Sequence, residues 1–199
     1  MPPGPSTRLP AAERREQLLD VTKGIVTERG FAAVSIEAVA RGAGITRPII
    51  YGHFTDLQGL LEALLRRESE RALRQLQAIL PTNLAAGDPR EQLLAALEGY
   101  LAAVAEDPGT WRLLLMPPEG APALLRDLLA IGRNAVVAHL ADAARPGLGK
   151  GGPSPDPELT ARTLSAAADE AARLLLTDPE RYPVDRLLAH ARWVLAQLG

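Results

Sequence analysis

The sequence predicts an all-α protein: a three-helix head over residues 1–55 and a longer helical body over residues 56–199, about nine helices in total. Three observations lead there. Apolar side chains recur at i, i+3, i+4 and i+7 in one segment after another. No segment sustains the period-two alternation of a half-buried strand. Aromatic residues make up only 4% of the chain and β-branched runs are few, so strand formers are scarce.

The elements follow in order. Residues 11–29 form a first helix with Leu18, Leu19, Thr22, Ile25 and Val26 on one face, and Gly30 ends it. Ser35 is the expected N-cap of a second helix, 36–43, with Glu37 in its first turn where the helix dipole favours an anion. Gly44 ends that helix, and a third runs from Thr46 or Arg47 to about Phe54. Asp56 caps a long fourth helix, 57–79, with Leu57, Leu60, Leu61, Leu64 and Leu65 inward. After the break "PTNLAAGDP", helices are expected at 89–105, 108–116 and 122–144. "RPGLGKGGPSPDP", residues 145–157, reads as a long loop, and two last helices run over 158–176 and 184–197.

Composition narrows the function. With 199 residues the chain can bury a sizeable core, and cysteine is absent, which excludes disulfides and thiolate metal sites and fits a reducing compartment. The opening residues hold no apolar run of a secretory leader, and no stretch approaches the length needed to span a membrane, so a cytoplasmic location is expected. The net charge of −2 gives no global basic field. Its distribution is uneven: residues 1–55 carry seven basic and five acidic side chains, the remainder fifteen and nineteen. A mildly basic head on an acidic body suits a head that meets phosphates.

The stretch "GITRPIIYGHF", Gly44 to Phe54, sharpens that reading. Helix 36–43, a tight glycine turn and the helix that follows have helix-turn-helix proportions. Ala40 lets the two helices approach closely, and Gly44 supplies the positive φ of the turn. Ile36, Val39, Ala43, Ile45, Ile50 and Phe54 form a common core with Phe31. At ~100° per residue, Pro48, Ile49, Gly52 and, at the flanks, Tyr51 and His53 then point away from it. That outer face is too polar for a core and too lightly charged for plain solvent. Pro48 and Ile49 can touch thymine methyls in a major groove. Arg47 can bond guanine or phosphate, and Thr46, Tyr51 and His53 can donate to phosphate oxygens. Proline is tolerated because the first helical turn lacks an internal partner for its missing donor. The same pattern is also met in plain αα-hairpins.

At these residues the chain resembles the TetR family of bacterial transcriptional regulators. The resemblance covers residues 14–65 and rests on Gly30-Phe31, Ser35, Ala40, Ala43-Gly44-Ile45-Thr46, Ile50-Tyr51, His53-Phe54 and Leu60. It implies a DNA-binding head, a helical ligand-binding and dimerisation body, and repression relieved by a small molecule. Carried over position by position, it implies DNA contacts at Ser35, Thr46, Arg47, Pro48, Ile49, Tyr51 and His53. Two positions depart from the family pattern. Leu57 stands where a phosphate-binding lysine is usual, and Glu37 where a basic or polar residue is common. Arg8, Arg14 and Arg15 are the available compensation.

The body says less. "DPGTWRLLLMPPEGAP" is its most distinctive segment, and a mainly apolar pocket walled by Tyr100, Trp111, Leu114, Met116 and His139 is expected near it. His139, His53 and His190 have no metal-ligand spacing, and neither metal nor cofactor is expected. The alanine-rich "ARTLSAAADEAARLLL", with Ala168 and Ala172, and the apolar face Leu187, Leu188, Ala191, Val194, Leu195 and Leu198 suit a homodimer through the last two helices. An enzyme is disfavoured: no His-Glu-x-x-His or Gly-x-Ser-x-Gly is present, and "GLGKGGP" follows no strand and lacks the Lys-Ser/Thr ending of a phosphate loop. The expected function is a dimeric repressor released from a palindromic double-stranded operator by a small apolar effector. A DNA-binding or scaffold protein without small-molecule input is the alternative, ahead of an all-α enzyme.

Overall fold

The computed structural model describes residues 9–84, 87–145 and 154–197. Those residues are all-α, with nine α-helices and no strand among them. Arg8, Leu198 and "GLGKGGP" lie outside the described residues. No helix among the described residues is long and apolar enough to cross a membrane. The chain divides into two compact units, one reaching Arg67 and including Pro118–Leu124, the other comprising Glu68–Pro117 and Leu125 onward.

The first unit is built on α1 (Ala11–Arg29), α2 (Ile36–Ala43), α3 (Arg47–Tyr51) and the start of α4 (Leu57–Ile79). Its α1 buries Leu18, Leu19, Thr22, Ile25 and Val26, the face that helical spacing selects. A single 3-10 turn, Phe31–Ala33, seats the Phe31 ring in the core. The Ser35 hydroxyl accepts from the Ala38 amide at 3.1 Å and starts α2. Gly44 then takes the left-handed conformation, φ 65° and ψ 34°, and the Ile45 amide donates back to the Ala40 carbonyl at 2.9 Å. Ala40 is buried, and α2 also comes close to α1 at Gly42, where a Cβ would lie 2.7 Å from Cγ1 of Val21. Ile50 and Phe54 sit one turn apart and close the core with Val39, Leu60, Leu64 and Leu65. Arg67 pins α4 to α1 through Glu16 and Asp20, each at 2.8 Å.

The second unit holds the rest of α4 with α5 (Pro89–Glu106), α6 (Pro108–Leu115), α7 (Ala123–Ala144), α8 (Pro157–Thr177) and α9 (Val184–Gln197). Three of these helices begin with the same device. Asp88, Asp107 and Asp156 accept from the amides of Arg90, Thr110 and Leu159, and proline follows each at the first helical position. The Glu68 carboxylate of α4 is fully buried and accepts from the Thr110 hydroxyl of α6. Both α8 and α9 pack against α5. No residue of α9 is buried, and Trp193 and Val194 are exposed on it.

Candidate functional site: a nucleic-acid interface and an apolar cavity

The outer face of α3 is assembled by what its inner face does. Ile50 is fully buried, so Thr46, Arg47, Pro48, Ile49 and Tyr51 are turned outward, and all five are exposed. Ile49 is 42% and Tyr51 55% exposed, which puts apolar surface beside the exposed Pro48. The α-helix is shorter than the sequence suggests: it stops at Tyr51, and a turn closes it with Gly52, His53 and Phe54 amides returning to Pro48, Ile49 and Ile50 carbonyls. Gly52 has ordinary right-handed dihedrals, and a Cβ there would meet the Ile49 carbonyl oxygen at 3.3 Å. His53 is half-buried, with its ring 6.5 Å from that of Phe54.

Two side chains at this face are already engaged. The Ser35 hydroxyl is occupied as the α2 cap. The Arg47 guanidinium donates to the Glu37 carboxylate at 2.7 Å, an exposed ion pair joining α3 to α2. The backbone amide of Glu37 and the Arg47 hydrogen bond hold the Glu37 carboxyl below the usual range. Leu57 is half-buried at the start of α4 and offers no charge to a phosphate. Arg15 points into the fold: its guanidinium lies 4.4 Å over the Phe54 ring and donates to the His53 carbonyl. Arg14 is paired with Gln17.

The second unit contains a cavity of about 610 Å³. Leucine and alanine from α4, α5, α7, α8 and α9 make most of its wall. Tyr100, Trp111 and Leu114 line it, with the two aromatic rings edge to face at 5.0 Å. Met116 and His139 do not. Met116 ends α6, is 41% exposed and meets Thr177, while the His139 ring is tied to the Pro81 carbonyl at 2.8 Å. The cavity also has a polar corner that sequence spacing does not reveal. The Tyr100 hydroxyl donates to the Asp169 carboxylate at 3.2 Å, and Arg133 stands 3.9 Å from the other carboxylate oxygen. Burial raises the Asp169 carboxyl, opposed by the Tyr100 hydrogen bond and by Arg133 and Arg173. Burial likewise raises the Tyr100 hydroxyl, with the Asp169 charge adding to it, so the phenol stays a donor. No group of three potential metal ligands occurs among the described residues.

Residues 18–64 match the model of the bacterial regulatory proteins, tetR family. Over these residues the chain is similar to the TetR family. The match runs from α1 into α4 within the first unit, where the turn at Gly44 and the exposed face of α3 lie. Among curated TetR-like relatives, the transcriptional activator FasR of Mycolicibacterium smegmatis is 32% identical over 107 residues, covering 54% of this chain and 48% of FasR. The transcriptional regulator BetI of Yersinia pestis is 40% identical over 89 residues, 43% of each chain. The chain thus spans about half the length of the curated relatives it matches. A crystal structure of a TetR-like transcriptional regulator from Rhodococcus sp. RHA1 superposes with a TM-score of 0.74 at 25% identity, over 96% of this chain and 97% of the other. These relatives are named as regulators, not as enzymes.

Proposed function

We propose that the protein is a cytoplasmic, homodimeric transcriptional repressor of the TetR type, binding a near-palindromic duplex and released by a mainly apolar effector. The observation that carries the DNA-binding part is the outward face of α3, with five exposed residues turned out by one buried isoleucine behind a glycine turn. Pro48 and Ile49 offer apolar contact to thymine methyls, and Arg47 offers a donor fork to a base edge. Thr46, Tyr51 and His53 donate to phosphate oxygens, and Ser35 contributes by setting the start of α2 rather than by its engaged hydroxyl. The cavity supports the effector. Its wall is leucine and alanine, and its Tyr100–Asp169–Arg133 corner supplies a few polar groups for orientation. The dimer is supported by α9, which buries no residue within one protomer, and by Leu159 at 61%, Trp193 at 61% and Val194 at 37% exposure. Ala172 is fully buried inside the protomer, so the dimer surface of α8 is read instead on its exposed side at Leu159 and Ala166.

FasR is named an activator, which favours a second reading in which the same DNA contacts recruit rather than block transcription. The deciding experiment is selection from a randomised duplex library with the full chain, followed by light scattering of the complex. A near-palindromic motif is expected, bound by two protomers and weakening steeply as salt rises. Trp193→Asp, exposed in the protomer, is expected to give folded monomers that lose the palindrome. Binding that ignores sequence or salt overturns the repressor and activator readings together. Transcription from a template carrying the motif separates those two, by the sign of the change when protein is added.

A further inference from the structure

We infer that Glu37 is a specificity-determining residue of the head: it holds Arg47 for base reading and subtracts from its attraction to phosphate. This rests on the DNA-binding reading above. A charged residue of the wrong sign near a DNA-facing helix needs a reason. The geometry gives one, because Glu37 Oε1 takes Nη1–H of Arg47 at 2.7 Å across the turn between α2 and α3.

The pair is not a stability device. Both side chains are more than half exposed, at 61% for Arg47 and 59% for Glu37, and exposed pairs contribute little to folding. What it changes is the state of the guanidinium. Arginine carries five N–H donors in a rigid plane. Tying one of them to α2 fixes the plane relative to the helix turn and leaves the remaining donors for a base edge, where a bidentate pairing depends on orientation. The carboxylate also offsets the charge of Arg47, so the pair presents less net charge to a phosphate backbone than a free arginine does. Non-specific affinity comes almost entirely from such backbone charge. Lowering it while keeping an oriented fork raises the ratio of specific to non-specific binding without adding a contact.

The test uses the full chain in five forms: wild type, Glu37→Gln, Glu37→Ala, Arg47→Ala and the double variant Glu37→Ala/Arg47→Ala. Each is titrated with the duplex that wild type selects and with a scrambled duplex, over a series of salt concentrations. Circular dichroism confirms that each is folded, as expected for exposed positions. Glu37→Gln keeps an oxygen acceptor for Arg47 and removes the charge. It is expected to bind scrambled duplex more tightly, with a log–log salt slope steeper by about one phosphate contact. Glu37→Ala frees the guanidinium as well, and the specific-to-scrambled ratio is expected to fall by about fivefold or more. In the Arg47→Ala background the Glu37 effect on that ratio is expected to vanish. Ratios within twofold of wild type for both single Glu37 variants overturn the inference. So does an equal Glu37→Ala effect with and without Arg47, which would mean that Glu37 acts on DNA directly. A wild type that selects no motif removes the DNA-binding reading itself, and is told apart because it fails before any variant is compared.

Discussion

The two units use their apolar residues differently. In the first, Leu18, Val39, Ile50, Leu60, Leu64 and Leu65 are fully buried, and nearly every large apolar side chain not on the outer α3 face is packed. In the second, many leucines stand around about 610 Å³ of open volume, and α9 keeps all its described residues at least partly exposed. Protein interiors are ordinarily as dense as organic crystals, and the wall of this cavity lacks that packing. The first unit is filled; the second keeps an apolar-walled opening. Unfilled apolar surface thus lies in two places, outside on α3 and inside on the cavity wall.

Removing packed volume from each unit puts that contrast under the greatest strain. Ile50→Ala is expected to cost ~2–5 kcal/mol in urea unfolding, since a fully buried side chain leaves a cavity that the short α3 cannot close. Leu114→Ala should cost clearly less, because Leu114 already borders open volume. Equal losses would mean that the cavity wall is packed as tightly as the head. Filling the void is the next step down. A medium-length apolar amphiphile at 100 times its dissociation constant should stabilise the protein by ~2.7 kcal/mol, read as a rise in melting temperature. Leu129→Trp, which puts an indole into the wall, should abolish that rise while leaving the unliganded protein folded. A rise that survives the tryptophan would place the binding elsewhere.

More modest changes separate roles on the outer α3 face. Arg47→Ala and Ile49→Ala should each cost ~1–3 kcal/mol on the preferred duplex and shift base preference, while Tyr51→Phe and His53→Ala should weaken all sequences alike. A base-preference shift from Tyr51→Phe alone would invert this assignment. Weakest of all is the response at the polar corner of the cavity. The Asp169 carboxyl is raised on folding, so the folded state holds that proton more tightly than the unfolded chain does. The contribution is full below the ordinary carboxylate range, about pH 4, and is lost as pH rises through the raised folded value. Melting temperatures should therefore fall slightly more for wild type than for Asp169→Asn as pH rises over that interval, and matching profiles would exclude a raised carboxyl.

Much of the fold is legible in the sequence. Helix limits are, because they are set locally: Ser35, Gly44 and the Asp-Pro pairs are punctuation that acts within a few residues. The buried face of α1 is, because one helix carries the whole pattern. What spans the chain is not. The Glu37–Arg47 pair needs the angle of the Gly44 turn, and Tyr100 and Asp169 are 69 positions apart. Met116 and His139 show the converse: distinctive side chains near the right segment, but turned to Thr177 and to the Pro81 carbonyl. The 3-10 turn at Phe31 and the early end of α3 escape a sequence reading because both depend on how Phe31 and Phe54 seat in the shared core.

The three Asp-Pro starts of α5, α6 and α8 have a consequence for descent rather than for folding. Each sets where its helix begins from outside the helix, with no help from the residues that wall the cavity. Frame and lining are therefore written in separate letters. A lineage can exchange leucine for valine, or alanine for serine, along the wall and alter what fits inside without moving a helix boundary. The cavity wall can therefore change by ordinary point substitution on an inherited frame, while the filled core of the first unit leaves less room for exchange.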